Sequence, residues 1–466
     1  MPKGKPSSVP GTARCPGTSW EDLVKAEANI VPEFLAEDAY QFRGSEPLST
    51  ERYTSAEFFR DEIVKMWPNV WQMAAREEDL PDPGDIVVYE NAGRSFLVAR
   101  QRNKSIRAFH NVCLHRGRKL RTKDGQASQF HCPYHGFAWN LDGSLNNIPC
   151  RWDFSHLEED KMSLPEAMVG RWGGYVFLKE NPGGPNLDEY LAPLQTHFKR
   201  WPHEQRITTV WVAKVIHANW KAVMEAFMEA WHAYTTHPQI APFVSDANSR
   251  YNIYGDFVNV GYNAQGAMSP LLDPRGKSEQ WVVDRYLDFS RRLTLSEAGK
   301  SKVTVPKGST ARRVLGDLMR DEYFRLFGER VDHATDAEML DSLFYSVFPN
   351  WGPWGGFMPA LDYRFRPWPD HDHTLMEVRI LSPVGKGQEV PHGVPMTLLG
   401  DNESWASSPM IGEALGNVLD QDVTNVEQVH AGLKASKNGK VQLGNYMEIR
   451  IRQFHQTMDK YLSRNS

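Results

Sequence analysis

The sequence CLHRGRKLRTKDGQASQFHCPYHG, residues 113–136, contains two arms that each carry one cysteine followed by one histidine. Cys113 and His115 belong to the first arm, and Cys132 and His135 belong to the second. Two thiolates and two imidazoles can hold a [2Fe–2S] cluster in which histidine replaces cysteine on one iron. They could also hold a tetrahedral zinc ion, although zinc fingers usually place both cysteines in one arm and both histidines in the other. The stretch therefore predicts a metal site built from both arms.

Length and composition limit the classes of protein to which the chain can belong. Its 466 residues are enough for two domains, and its 24% charged residues are typical of a soluble globular protein. No run of about 18 apolar residues occurs, so we expect no membrane span. The formal net charge of −5 argues against nucleic acid as the main partner.

The N-terminus and the remaining cysteines indicate a cytoplasmic protein. Residues 1–20 are polar and lack the apolar core of a signal peptide, so we interpret them as a loose arm. Cys15 and Cys150 are the only cysteines outside the two metal-binding arms. A reducing compartment suits such sparse cysteine usage.

Short alternating apolar segments surround the two arms, and strands at this spacing indicate an antiparallel sandwich or barrel. The predicted elements are a helix at 55–66, strands at 70–73, 86–89, 95–98, 106–109 and 173–178, and a hairpin turn at 140–143. The Pro- and Gly-rich segment 181–185 is a candidate boundary. We therefore expect an N-terminal arm and helix at 1–57 that pack with the second domain, an all-β domain at 58–182, and the second domain at 183–466.

A basic stretch runs through the predicted β domain. Lys and Arg recur from Arg100 to Lys123 with no acid among them. Such a stretch can be a solvated surface. It can also be a docking face beside the two arms, around Arg116, Arg118 and Lys119, because opposite charges steer the encounter with an acidic electron donor.

The second domain alternates strands and helices, which predicts an α+β fold. We expect strands at 208–216, 345–348, 361–366 and 374–381, mixed strand-like structure at 251–292, and helices at 220–233, 311–327 and 410–435, the last being the final long helix. Asn219 is the expected N-cap of the first of these helices. On that helix Glu225, Glu229 and His232 share a face with small alanines, which indicates a lined cavity.

A second metal site is indicated by His232, His237 and Asp422. Asp422 interrupts the apolar stripe of the helix at 410–435, and a buried acid is costly unless it is paired or metal-bound. Two imidazoles and one carboxylate are the facial triad of non-heme Fe(II) enzymes. Asp420 competes for the third position, but it points about 160° away from Asp422 on the helix. Two structural histidines and a buried salt bridge are the alternative interpretation.

These motifs resemble those of Rieske non-heme iron oxygenases, the ring-hydroxylating oxygenases, and in particular their catalytic α subunit. The matching segments are Asn111-Val112-Cys113, Tyr134-His135-Gly136, Asn219-Trp220-Lys221, Glu229-Ala230-Trp231-His232 and His237. The resemblance implies an all-β Rieske domain and a catalytic domain in which an antiparallel sheet grips long helices, the helix-grip or START-like arrangement.

The resemblance also implies cofactors and a role for each candidate residue. Cys113 and Cys132 bind one iron of the [2Fe–2S] cluster, and His115 and His135 bind the other. His232, His237 and Asp422 bind a mononuclear Fe(II), and Glu229 bridges cluster and iron across a subunit boundary. Three positions depart from the common pattern: Glu229 replaces Asp, Ala226 replaces Asn, and Phe137 replaces Trp.

The implied function is that of a terminal oxygenase. It would use O2 and NAD(P)H-derived electrons, delivered by a reductase directly or through a ferredoxin, to mono- or dioxygenate a hydrophobic, aromatic small molecule. Oxidative O- or N-demethylation and hydroxylation of a terpenoid or steroid are alternatives on the same scaffold. Family members are homotrimers or α3β3 assemblies with a small β subunit. A Rieske electron carrier and a zinc-stabilised binding protein are the rival classes.

Overall fold

The computed structural model describes residues 9–293, 298–385, 387 and 393–464. Contacts divide the chain into two compact units: residues 60–190 form one, and residues up to Phe59 form the other together with Leu191–Ser463. The roles predicted for segments 1–57, 58–182 and 183–466 remain predictions. Within the described ranges, no helix is both long and apolar enough to cross a membrane.

The unit of residues 60–190 is built mainly from antiparallel strands. Its larger sheet has the spatial order Gln72–Arg76, Tyr175–Lys179, Glu166–Trp172, Ile106–His110, Arg94–Arg100, Asp85–Asn91 and Gly125–Gln126. A smaller sheet contains Gln129–His131, Ala138–Asn140 and Leu145–Asn147. Buried Phe109, Phe130 and Trp139 form a core with Cys113 and Cys132, which anchors both arms.

The predictions for this unit are confirmed in their main features. Each predicted strand overlaps an observed one, and Gly143 turns the chain between the two strands of the predicted hairpin with φ +82°. The predicted helix at 55–66 is an α-helix at Ala56–Asp61 that continues as a π-helix at Glu62–Met66. A short helix covers Leu187–Tyr190, after the predicted boundary.

The other unit contains an eight-stranded sheet. Its spatial order is Val244–Tyr254, Val258–Gln265, Ser342–Val347, Trp351–Gly355, Ala360–Pro367, Thr374–Pro383, Arg206–Ile216 and Thr397–Leu398. All neighbouring strands are antiparallel except the last pair. The α-helices of this unit are Trp20–Lys25, Glu33–Ala36, Glu51–Thr54, Ala192–His197, Trp220–Glu225, Ala233–Thr236, Glu279–Ser290, Ala311–Phe327, Asp336–Leu340, Glu413–Ala435 and Ile449–Leu462. The predicted α+β class is confirmed.

The predicted helix at 220–233 is wrong beyond Glu225. It begins as expected, since the Asn219 side chain accepts a hydrogen bond from the Lys221 N–H. It ends at Glu225, and a separate short helix covers Ala233–Thr236. Trp231, which the helical pattern places on the apolar face, is 44% exposed.

Two other helices differ from the predictions. Glu279–Ser290 is helical where the sequence indicates strand-like structure, and Ser278 caps its first turn. Ile449–Leu462 follows the helix predicted to be the last. Its buried residues include Ile451, Phe454, Met458 and Tyr461, which form an apolar stripe at helical spacing, so the sequence carries the usual signal of an amphipathic helix there and the prediction missed it.

The expectation of a loose N-terminal arm is wrong for the described part of residues 1–20. Trp20 is fully buried, and its Nε1–H donates to Asp341 at 2.9 Å. The Arg14 guanidinium lies 3.5 Å from the centre of the Tyr446 ring. Cation–π contact and aromatic burial hold this segment against the larger unit.

Candidate metal centres and substrate cavity

The two cysteine–histidine arms fold into matching loops. In each loop the cysteine N–H donates to the carbonyl five residues later, at 2.8 Å. The glycine four residues after each cysteine, Gly117 or Gly136, donates its N–H back to that cysteine's carbonyl. Their φ values of +76° and +80° are in the left-handed region, which favours glycine. The turn aims backbone N–H groups at the Cys113 and Cys132 thiols. Burial nevertheless raises the pKa of Cys113 above its ordinary value, whereas hydrogen bonds outweigh burial at Cys132 and lower its pKa.

The four candidate cluster ligands lie in two pairs. The thiols of Cys113 and Cys132 hydrogen-bond to each other, and the ring centroids of His115 and His135 are 4.6 Å apart. The donor atoms around a tetrahedral zinc ion lie within about 4 Å of one another. The four cluster ligands do not lie that close together. Among the described residues, the one set of three or more potential ligands whose donor atoms lie within 4.8 Å of one another contains none of these four. Paired sulfurs beside paired imidazoles therefore fit the two irons of a [2Fe–2S] cluster better than one zinc ion.

The environment of His115 also suits a bound cluster. Its buried Nδ1 atom has no hydrogen-bond partner in the part of the chain that the structure describes. Phe137 stacks on the imidazole with a centroid distance of 4.8 Å and an interplanar angle of 9°. The ring is therefore held in place by packing, while one nitrogen remains available to a ligand.

Several members of the basic stretch are engaged within the fold. Arg100 is buried, and Arg107 and Lys119 form ion pairs with glutamates from other strands. Arg116 and Arg118 are exposed beside the first arm. Of the three residues proposed for the docking face, Arg116 and Arg118 therefore have no ion pair among the described residues, whereas Lys119 has one.

The turn that carries His232 is held by distant residues. The Ala230 N–H donates to the Tyr251 hydroxyl at 3.2 Å, and the Met228 carbonyl accepts from Arg450 at 3.0 Å. These bonds replace helical hydrogen bonds, which explains why the predicted helix stops early. Arg450, on the C-terminal helix, is fully buried and was not indicated by the sequence.

The structure brings His232, His237 and Asp422 together. One oxygen of Asp422 lies 2.9 Å from His237 Nε2 and 3.5 Å from His232 Nε2. One ligand atom from each residue lies within 4.8 Å of the ligand atoms of the other two residues. Among the described residues, this is the one set of three or more potential metal ligands that lie so close together. Asp420 points elsewhere and accepts hydrogen bonds from the backbone of Trp405 and Ala406. The arrangement leaves two Nε2 atoms and a carboxylate facing one point, as a mononuclear Fe(II) site requires.

The outward-facing nitrogen of each histidine has its own partner. Glu229 Oε1 lies 2.5 Å from His232 Nδ1, and its other oxygen accepts from the His232 backbone N–H at 3.2 Å. Gln421 Oε1 lies 2.8 Å from His237 Nδ1. Such partners fix the tautomer and the ring orientation of metal-binding histidines. Gln421 was missed in the sequence, where its only signal is its position next to Asp422.

The charges at this site favour a cation. Burial alone lowers the pKa of His232, but the carboxylates of Glu229 and Asp422 outweigh that effect and raise the pKa to about 10. Burial raises the pKa of Asp422, but hydrogen bonds from the two histidines outweigh it and leave that pKa below its ordinary value. Two carboxylates beside two imidazoles thus make the site favourable for a cation such as Fe(II).

The site opens on a mainly apolar cavity of about 390 Å³. His232, His237 and Asp422 line it together with aromatic and aliphatic side chains, which include Phe227, Phe243, Phe344, Trp354, Leu361 and Tyr363. Trp354 thus lines the cavity, whereas Phe348 and Trp351 are buried without lining it. A volume of this order suits a small hydrophobic ligand.

The acids in the cavity wall away from the metal site are already paired. Glu338 forms an ion pair with Arg200, and Asp341 forms one with Arg312 at 2.5 Å. Glu229 and Asp422 are engaged by the two histidines. Among the described lining residues, no carboxylate is left over to bind a cationic ligand.

Glu225 does not line the cavity, contrary to the expectation from the helical face. Its two carboxylate oxygens lie 3.0 and 3.1 Å from the Tyr53 hydroxyl. One of them also lies 2.8 Å from His455 Nε2. Burial raises the pKa of Glu225 to about 8 and lowers the pKa of His455. Near neutral pH, a proton on Glu225 can therefore be shared with a neutral His455.

Comparison with known proteins adds two domain matches. Residues 70–158 match the family model of the Rieske [2Fe-2S] domain, and residues 195–464 match that of the ring hydroxylating alpha subunit (catalytic domain). These two domains imply one [2Fe–2S] cluster and one mononuclear iron.

Individual relatives share part of the sequence. The carnitine monooxygenase oxygenase subunit of Escherichia coli K12 is 26% identical over 236 residues, which cover 49% of this chain and 63% of that protein. The chlorobenzene dioxygenase subunit alpha of Cupriavidus sp. PS12 is 30% identical over 191 residues, which cover 40% of this chain and 42% of that protein. The chain thus spans less than two thirds of the length of these curated relatives.

Solved structures share the fold over nearly the whole chain. A quaternary ammonium Rieske monooxygenase crystallised with an inhibitor superposes with a TM-score of 0.62 at 17% identity, covering 90% of this chain and 95% of that one. Naphthalene 1,2-dioxygenase with bound indole superposes with a TM-score of 0.61 at 20% identity, covering 91% and 94%. At this level of identity the similarity concerns the fold alone.

Proposed function

We propose that this chain, which belongs to the family of ring-hydroxylating alpha subunits, is a terminal oxygenase that hydroxylates an uncharged, hydrophobic small molecule. The observation that carries the proposal is the triad of His232, His237 and Asp422 in the wall of an apolar cavity. The cysteine–histidine arms supply a second centre in the same chain. An electron carrier would need only the arms, and a zinc-stabilised binding protein would need neither the triad nor its cavity.

We assign the [2Fe–2S] cluster to Cys113, His115, Cys132 and His135 in segment 58–182, and the mononuclear iron to His232, His237 and Asp422 in segment 183–466. When bound, the cluster supplies single electrons and the iron activates dioxygen. The protein supplies orientation, a cavity that excludes water, and a hydrophobic surface for the substrate.

Glu229 is the main positioning residue in this proposal. Both of its oxygens bond to His232, so it fixes the imidazole and keeps Nε2 turned toward Asp422. Its side chain is 10% exposed, which leaves room for contact with His135 of a neighbouring subunit in a trimer. On the basis of the family resemblance, the proposed assembly is a homotrimer or an α3β3 complex with a small β subunit.

The substrate class follows from the charge of the cavity. Every described acid of the wall is paired, and the wall contains no Lys or Arg among its described residues. A neutral arene fits this surface. A quaternary ammonium group would have only cation–π contact with the aromatic rings, since it would find no free carboxylate in the described wall, and a carboxylate on the same ligand would find no Lys or Arg there. We therefore propose an aromatic substrate rather than carnitine, although the carnitine monooxygenase subunit is a relative.

The proposed electron source is an NAD(P)H-dependent reductase, acting directly or through a ferredoxin. Exposed Arg116 and Arg118 beside the first arm support an acidic donor at that surface.

The test is oxygen uptake by the iron-loaded protein with a surrogate reductase and a panel of neutral arenes, with carnitine as the charged comparison. We expect oxygen uptake and an oxygenated product with at least one neutral arene. Adding catalase identifies oxygen uptake that yields only peroxide. Uptake and product with carnitine but with no arene would overturn the proposed substrate class. Efficient electron transfer to an external acceptor, with no oxygenation of any compound, would favour the electron carrier.

A further inference from the structure

One polar side chain in the apolar cavity lacks a protein partner. Asn263 lies on the strand Val258–Gln265 and is 6% exposed, and it lines the cavity. Its Oδ1 atom is buried and has no hydrogen-bond partner among the described residues. Buried polar groups are nearly always hydrogen-bonded, so an open acceptor in a cavity wall indicates a ligand or a water molecule as its partner.

The same strand provides a contrasting asparagine. Asn259 lies four residues earlier and therefore on the same face of the strand. Its Oδ1 accepts from Arg450 Nε at 2.5 Å, and its Nδ2 donates to Gln453 at 2.8 Å. The C-terminal helix thus satisfies one asparagine completely, while the other is left open to the cavity.

Asn263 belongs to a small polar patch, formed by Asn263, Gln265 and Ser342, all of which line the cavity. Ser342 is the direct cross-strand partner of Asn263, so their side chains lie side by side. Gln265 Nε2 donates to Ser342 Oγ at 3.3 Å. The patch is therefore a continuous feature of the sheet face.

The backbone at this patch is held rigidly. The Gln265 N–H donates to Asp341 Oδ1 at 2.9 Å, and its carbonyl accepts from Arg312 at 3.0 Å. Arg312 and Asp341 also form a buried ion pair with each other. A polar group that sits on a fixed strand can select one orientation of a ligand.

We propose that Asn263 is the polar anchor of the substrate, and that its Oδ1 accepts a hydrogen bond from a hydroxyl group on an otherwise apolar, uncharged molecule. This inference rests on the proposed function and narrows its substrate class from neutral arenes to those that carry a hydroxyl, such as phenols. Because Asn263 and His232 line the same cavity, the anchor also determines which part of the ring faces the metal site. Asn263 is therefore a specificity-determining residue.

The test is a binding measurement that needs neither oxygen nor reductase. The probes are 2-naphthol and 2-methylnaphthalene, which have nearly the same shape but differ in the hydrogen-bond donor. We expect the wild-type protein to bind 2-naphthol about tenfold more tightly in equilibrium dialysis, as for one buried hydrogen bond. Asn263→Leu should abolish that preference by weakening 2-naphthol binding while retaining 2-methylnaphthalene binding.

A stability measurement separates the anchor from a structural role. Since Asn263 has no described protein partner, Asn263→Leu should leave the melting temperature unchanged or raise it. Asn259→Leu is the matched comparison, and it should lower the melting temperature because it leaves the buried Nε–H of Arg450 without its acceptor. A fall with Asn263→Leu as large as that with Asn259→Leu would overturn the inference.

Three binding outcomes would also overturn it: equal affinity of the wild type for the two probes, binding of neither, or a preference for 2-naphthol that survives in Asn263→Leu. Equal affinity would mean that the Asn263 amide is satisfied by water alone. The binding measurement tests the anchor, and the oxygen-uptake assay tests the proposed function. Because binding does not depend on turnover, the two proposals can fail separately.

Discussion

Replacing Glu229 by Gln tests how the protein holds its mononuclear iron site. Glu229 makes two hydrogen bonds to His232, at 2.5 Å to Nδ1 and 3.2 Å to the backbone N–H. Gln keeps the size of the side chain and one acceptor, but it removes the charge. A hydrogen bond to a charged group contributes about 1.5–3 kcal/mol, against about 0.5–1.5 kcal/mol for a neutral one.

The expected loss of about 1–1.5 kcal/mol corresponds to about tenfold in the population of correctly oriented His232. Partners of metal-binding histidines typically change metal affinity or activity by about 10–100-fold when they are replaced. We therefore expect turnover by Glu229→Gln to fall by about 10–100-fold. The visible absorption of the cluster and its reduction by the donor should stay normal, because Cys113, His115, Cys132 and His135 are unchanged.

The assay measures cluster reduction, iron content and product formation on the same purified sample. Glu158→Gln is the matched control, since it removes the same charge from a side chain that is 62% exposed and pairs only with Lys161 among the described residues. Near-normal turnover in a well-folded Glu229→Gln protein would refute the positioning role. A loss of stability with unchanged activity per folded molecule would show that Glu229 serves the fold instead.

Three further predictions concern the other charged and metal-binding groups. His115→Ala should remove the visible chromophore because it removes an iron ligand, and a full native spectrum would contradict the ligand assignment. Electron transfer from the donor should slow as salt rises toward physiological ionic strength, because exposed charges are then screened over about 8 Å. Arg118→Gln should weaken this salt dependence. A rate that does not change with salt would exclude the docking face. Because burial raises the pKa of Glu225 to about 8, the folded state holds a proton that the unfolded chain releases at lower pH. The free energy of unfolding in urea should therefore fall as pH rises from about 6.5 to 8, by at most about 1.4 kcal/mol per pH unit. Glu225→Gln should flatten this pH dependence. The same slope in the variant as in the wild type would contradict the prediction.

The local motifs could be predicted because they depend on residues close together in sequence. The two arms are short, their glycines permit the tight turns, and the strands around them alternate in the usual way. Asp422 stands out because an acid on an apolar helical stripe needs a partner, and the structure places it beside His232 and His237. The roles of these residues as ligands stay a prediction.

The parts that could not be predicted depend on contacts between distant segments. The helix at 220–233 breaks because Tyr251 and Arg450 take over the hydrogen bonds of the following turn. For the same reason the predicted cavity position of Glu225 is wrong, since Tyr53 and His455 bind it from two other helices. No periodicity within residues 220–233 could reveal these partners.

The presence of two separate metal centres in one chain is tested most directly by metal analysis together with the visible spectrum of the same sample. For the wild-type protein we expect about three irons per chain and a red-brown Rieske absorption. For Asp422→Ala we expect about two irons per chain with unchanged absorption, because only the mononuclear site loses a ligand. Zinc in place of iron, or two irons per chain in both proteins, would contradict the assignment of His232, His237 and Asp422 as an iron site.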